Sequence, residues 1–136
     1  MLTTSLIHPE IMEVLSRAGH GSKILIADGN YPLFEKSGSA RKVFLGLRAG
    51  LPTVSDVLTT LHGVVEFEKA EVMMPESGPE PEIFREFRQE LGGMELSGLG
   101  RYAFYDACMQ DGALLLAIST GEKRTFANIL LTVGCA

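Results

Sequence analysis

No apolar run in this chain is long enough to cross a bilayer. The longest, Ala113 to Ile118, falls far short of the roughly 20 residues a spanning helix needs. Basic clusters are missing as well. Lys and Arg number 12 against 17 Asp and Glu, for a formal net charge of −5, which argues against partners bound through a phosphate backbone. No nucleic-acid or membrane partner is expected. Cysteine is scarce, with only Cys108 and Cys135. The opening Met1-Leu2-Thr3-Thr4-Ser5 carries neither the basic region nor the apolar stretch of an export signal. Reduced thiols in a cytoplasm are therefore the expectation, with Cys108 filling a core.

His8, His20 and His62 are too dispersed for a zinc site, so no metal is expected. Nucleotide signatures are absent too. Gly19-His20-Gly21 precedes a strand-like run instead of following one, and no Gly-Lys-Ser/Thr loop or Gly-x-Ser-x-Gly elbow occurs. No cofactor is expected, so any chemistry falls to ordinary side chains.

What is present reads as one domain over residues 1–136, with 46% hydrophobic and 21% charged residues. Helices are expected over Pro9–Ala18, from a Thr53 or Ser55 cap to Leu61, over Glu82–Leu91 and over Arg101–Met109. Strands are expected over Lys23–Ala27, Lys42–Leu47, Phe67–Met74, Ala113–Ser119 and Asn128–Val133. Tyr31–Arg41 and Pro75–Pro81 read as loops, and Gly98-Leu99-Gly100 as a turn. Apolar strands alternating with helices predict an α/β fold: a single three-layer domain with a largely parallel sheet flanked by helices.

Polar groups gather at several strand ends in this reading. Asp28 ends the first strand, at the edge where open α/β sheets place ligands. His20 stands in the turn before it, separated from Asp28 by a strand of roughly 17 Å. The two meet only if the loop folds back or if they come from neighbouring subunits. Each also has an ordinary reading, His20 as a turn residue and Asp28 as a turn former. Arg101 and Tyr105 share a helix face at i, i+4, either as a pocket wall or as a solvated face with one core tyrosine. Phe126 and Asn128 flank the start of the last strand, where an Asn is often a turn device. Thr120-Gly121-Glu122-Lys123-Arg124 reads as a charged turn. Together these residues suit a small neutral ligand rich in hydroxyls. An isomerase or lyase acting on a small carbonyl compound through His20 and Asp28 is the competing reading.

Taken in order, several segments resemble the D-ribose pyranase / L-fucose mutarotase family. They are His8-Pro9-Glu10, Gly19-His20-Gly21, Ile26-Ala27-Asp28-Gly29-Asn30-Tyr31-Pro32, Val54-Ser55-Asp56-Val57-Leu58, Val72-Met73-Met74, Arg101-Tyr102-Ala103-Phe104-Tyr105, and Thr120-Gly121-Glu122 through Asn128-Ile129-Leu130-Leu131. The Val-Met-Met and Arg-Tyr-Ala-Phe-Tyr pieces are similar to the fucose branch. The resemblance implies cofactor-free interconversion of sugar anomers, with L-fucose favoured. D-ribose pyranase activity and non-catalytic sugar binding are the alternatives. It implies His20 as proton shuttle, Asp28 on the sugar hydroxyls, and Arg101, Tyr105, Phe126 and Asn128 around the substrate. It also implies a decameric ring of two stacked pentamers, with pockets across subunit interfaces. The family usually places a tyrosine where this chain has Phe126, which removes a phenolic proton from the site.

Overall fold

Local sequence signals set most element ends in the computed structural model, which describes residues 1–110 and 112–136. Helix α1 (Pro9–Leu15) has proline in its first turn, and His8 caps it by accepting the Ile11 N–H at Nδ1, 3.3 Å away. It ends three residues before the expected Ala18. There the bonds tighten to the i→i+3 type, Arg17 N–H to the Val14 carbonyl and Ala18 N–H to that of Leu15. Helix α2 (Val54–His62) opens on a capping box. The Thr53 hydroxyl accepts the Asp56 N–H at 3.0 Å, and the Asp56 carboxylate accepts the Thr53 N–H at 2.9 Å. Thr53, not Ser55, is the cap. Helices α3 (Ile83–Glu90) and α4 (Arg101–Met109) lie within a residue of expectation.

The strands are β1 (Lys23–Ala27), β2 (Arg41–Phe44), β3 (Phe67–Met73), β4 (Leu96–Leu99), β5 (Leu114–Ser119) and β6 (Ile129–Val133). They form one sheet in the order β2-β5-β1-β6-β3-β4. β2, β5 and β1 pair in parallel, as do β3 and β4, whereas β6 runs antiparallel to both β1 and β3. The sheet is thus largely parallel with one reversed strand near its centre. Burial on both faces hides that reversal from the sequence, because β6 is buried at every position, as β1 is from Ile24 to Ala27.

Alternation along β1 divides the interior into two layers. Ile24 and Ile26 face a core built with α1, α2 and α3, which includes Ile11, Leu58, Phe84 and Phe87. Leu25 and Ala27 face a second core with Phe104 and Cys108 of α4 and with Tyr31 and Leu33 of the following loop. The three-layer α/β expectation holds, and Cys108 is buried.

Two expectations change. Residues 31–41 are not merely a polar loop. Tyr31, Leu33, Ser37 and Ala40 are buried, held by the Tyr31 hydroxyl donating to the Lys36 carbonyl at 2.8 Å and the Ser37 hydroxyl to that of Leu33 at 2.6 Å. The expected turn at 98–100 is instead the end of edge strand β4, paired with β3 from Ala70↔Leu96 to Met73↔Leu99. A four-residue Leu-Ser-Gly-Leu segment lacks the apolar alternation that would announce a strand.

Candidate active site

β1 delivers Asp28 to the C-terminal edge of the sheet, where it is 2% exposed. Its two carboxylate oxygens are held separately: one accepts the Asn30 N–H at 2.9 Å, the other the Ala127 N–H at 3.1 Å. Its own N–H donates to Asn128 Oδ1 at 2.8 Å. Asn128 thereby ties the start of β6 to the end of β1. Burial pushes the Asp28 carboxyl above its ordinary range, and the N–H donors and the Asn128 side chain oppose that shift without cancelling it.

Over this carboxylate opens a cavity of about 200 Å³, walled by Tyr31, Met73, Arg101, Tyr105, Phe126 and Asn128. Met73 and the aromatic rings make most of the wall apolar. Arg101 and Tyr105 share a face of α4, with Arg101 Nε donating to the Tyr105 hydroxyl at 3.1 Å. A guanidinium only donates, so the Tyr105 oxygen accepts and its own proton remains free to bond elsewhere. The Tyr31 hydroxyl, by contrast, already donates to Lys36. Phe126 sits in the left-handed region at φ 57°, uncommon for a bulky residue. It immediately precedes the Ala127 N–H that donates to Asp28.

Five of the six expected site residues therefore converge: Asp28, Arg101, Tyr105, Phe126 and Asn128. His20 does not join them within one chain. It lies at the other end of β1, its side chain 59% exposed, with Nε2 at 2.9 and 3.0 Å from the two Glu68 carboxylate oxygens. The loop carrying it does not fold back over β1.

The whole chain, residues 1–136, matches the RbsD / FucU transport protein family. The chain belongs to that family. Among its relatives is the D-ribose pyranase of Symbiobacterium thermophilum, 27% identical over 134 residues and matched over 98% of each chain. Among solved structures, Bacillus subtilis RbsD complexed with D-ribose superposes with a TM-score of 0.86 at 24% identity, over 100% of this chain and 99% of that one. The Streptococcus pneumoniae fucose mutarotase in complex with L-fucose does so at 0.83 and 23%, with the same coverage. At these identities the two structures speak for the fold.

Behind the cavity, this RbsD / FucU chain carries a support that the charged-turn reading of residues 120–124 overlooked. Glu122 is buried, and its carboxylate accepts the Arg124 N–H at 3.1 Å, Arg124 Nε at 3.0 Å and the Val54 N–H of α2 at 3.3 Å. Burial disfavours its charge, yet the bonds from Arg124 and from Val54 hold the carboxyl below the usual range. Arg124 also pairs with Glu86 of α3, which accepts the Ser55 hydroxyl at 2.7 Å. An Arg two residues after a loop Glu was the signal available. Gly121 has no room for a side chain, since an added Cβ would lie 2.4 Å from the Arg48 carbonyl oxygen. Among the described residues, no group of three or more His, Cys, Asp or Glu could hold a metal ion, and no helix is long and apolar enough to cross a membrane.

Proposed function

We propose that the protein is a monosaccharide mutarotase interconverting the α and β anomers of a free sugar, L-fucose foremost. The observation that carries this reading is the buried Asp28 carboxylate at the floor of a cavity with room for one small sugar. It lies in a chain whose relatives include a D-ribose pyranase and whose fold neighbours include a fucose mutarotase. Each Asp28 oxygen accepts one protein N–H and keeps a lone pair for a sugar hydroxyl. Met73 and the Phe126 ring offer apolar contact to a sugar face and to the methyl group of a deoxy-hexose.

The reaction needs a proton given to the ring oxygen and one taken from the anomeric hydroxyl. Tyr105, its hydroxyl proton left free by Arg101, is placed to give the first. His20 takes the second, its neutral imidazole offering one nitrogen with a free lone pair. The C–O ring bond breaks, the aldehyde forms, the C1–C2 bond rotates, and the ring closes on the other face as both protons return. Ring opening proceeds in water unaided, so positioning and modest acid–base help suffice, without a cofactor. Because His20 and Asp28 stand at opposite edges of the sheet, His20 reaches the cavity from a neighbouring subunit, in the ring decamer that the family resemblance implies.

D-ribose pyranase activity is the second reading, favoured by the 27% identical relative. Exchange NMR on L-fucose and on D-ribose at equilibrium tests both. Faster exchange between the α and β signals of fucose is expected. Acceleration of ribose alone favours the second reading, and broadening without exchange a non-catalytic sugar-binding protein. His20→Ala is expected to slow exchange by about 10²-fold, the size of a lost acid–base group. An unchanged rate removes His20 from the mechanism.

A further inference from the structure

The bond between His20 and Glu68 joins two segments far apart in the chain, and the sheet is distorted where Glu68 sits. Along the β3–β6 ladder, Phe67 pairs with Val133 but Lys69 pairs with Thr132. Two steps on β3 therefore match one on β6, and Glu68 is the extra residue. Such a bulge bends its strand and re-aims a side chain. Here Glu68 and Lys69 are both exposed in succession, where regular alternation would bury one of them. The re-aimed Glu68 carboxylate meets His20 Nε2 with both oxygens, at 3.0 and 2.9 Å.

His20 is fixed from its own side as well. The adjoining Gly21, at φ +89°, donates its N–H to the Val133 carbonyl at 2.9 Å, on the strand opposite the bulge. The His20 turn and the Glu68 bulge thus grip the same end of β6.

We propose that Glu68 is a positioning residue for His20, delivered by the β3 bulge to fix which ring nitrogen faces the substrate. This rests on the reading of His20 as the proton shuttle. A carboxylate only accepts, so the nitrogen bonded to it carries the hydrogen, and Nδ1 keeps its lone pair. Nδ1 is then the atom that takes the proton from the anomeric hydroxyl and returns it. The resulting imidazolium faces a negative charge at Nε2, so the pair suits both halves of the cycle. Glu68 touches neither sugar nor reacting atom.

The test uses the full-length protein in its native assembly. Fucose anomer exchange is measured across sugar concentrations, and the ring nitrogens of His20 are observed by ¹⁵N NMR. Glu68→Ala is expected to lower kcat about fivefold, the upper range for an exposed charged pair, with KM unchanged and the nitrogen signals moved toward a tautomer mixture. Glu68→Gln, whose amide oxygen still accepts from Nε2, is expected to restore the tautomer and most of the rate. Unchanged kcat and unchanged nitrogen signals in Glu68→Ala overturn the role of Glu68 alone, provided His20→Ala is slow. If His20→Ala exchanges at the wild-type rate, the shuttle reading and the Glu68 role fall together.

Discussion

Tyr105 and Phe126 face one cavity, but only one of them carries a proton to give. The Arg101 bond decides what Tyr105 can do: an acceptor toward Arg101, it keeps its own proton to donate, toward the sugar in the proposed reaction. Tyr105→Phe is therefore expected to slow fucose exchange by about 10²-fold, as for loss of a general acid, while KM changes little. Phe126→Tyr in that background returns a phenol to the same cavity and is expected to recover part of the rate. Recovery would show that the proton, and not the identity of the donor, limits ring opening. If Tyr105→Phe is as fast as the wild type, the donor is a water. Asp28 supplies something different, a fixed pair of acceptors whose geometry is set by two backbone N–H groups.

At the scale of elements, the loop after β5 is held against α2 and α3 by Glu122, Arg124 and Glu86. Both carboxyls lie below their ordinary range, Glu86 through its Arg124 bond and Glu122 because Arg124 and Val54 outweigh burial. Lowered folded-state values mean stabilisation that is fully present above the unfolded values and lost as pH falls through the folded ones. Asp28 is raised, so its contribution has the opposite sign and is lost as pH rises. Arg124→Ala is expected to cost about 1–3 kcal/mol at pH 7, because buried Glu122 keeps its charge without a cation. Denaturant unfolding between pH 7 and pH 3 should then fall less steeply for the variant than for the wild type. Equal slopes would show that the cluster adds nothing to folding. Element identity was legible where periodicity was strong, as in α2, α3, β1 and β5. β4 was not, because a short edge strand needs no apolar alternation. The direction of β6 was not either, because a strand buried on both faces reads alike in either sense. In the site, Asp28 stood out as a polar residue closing an apolar strand. Glu122 did not, because the contacts that bury the Glu122–Arg124 pair lie far off in the chain, Val54 being 68 residues from Glu122 and Glu86 being 38 from Arg124.

For the whole molecule, β1 separates the turn that holds His20 from the cavity that holds Asp28 and Tyr105. A five-residue strand spans roughly 17 Å, too far for one proton transfer. If both ends serve one reaction, each site takes His20 from one copy and its cavity from the next. In the ring that the family resemblance implies, this is a head-to-tail contact repeated around the closed assembly. The arrangement makes a prediction that a site within one chain cannot satisfy. His20→Ala and Tyr105→Phe are each expected to be slow as pure assemblies. When equal amounts are unfolded together and reassembled, a site is intact wherever a His20→Ala cavity receives His20 from a Tyr105→Phe neighbour. Random mixing makes about one site in four intact, since each of the two positions is right half the time in a heterologous ring. Anomer exchange in the mixture should therefore recover to roughly a quarter of the wild-type rate, far above either variant alone. A mixture as slow as its components would mean that no cavity is completed by the His20 of a neighbouring chain.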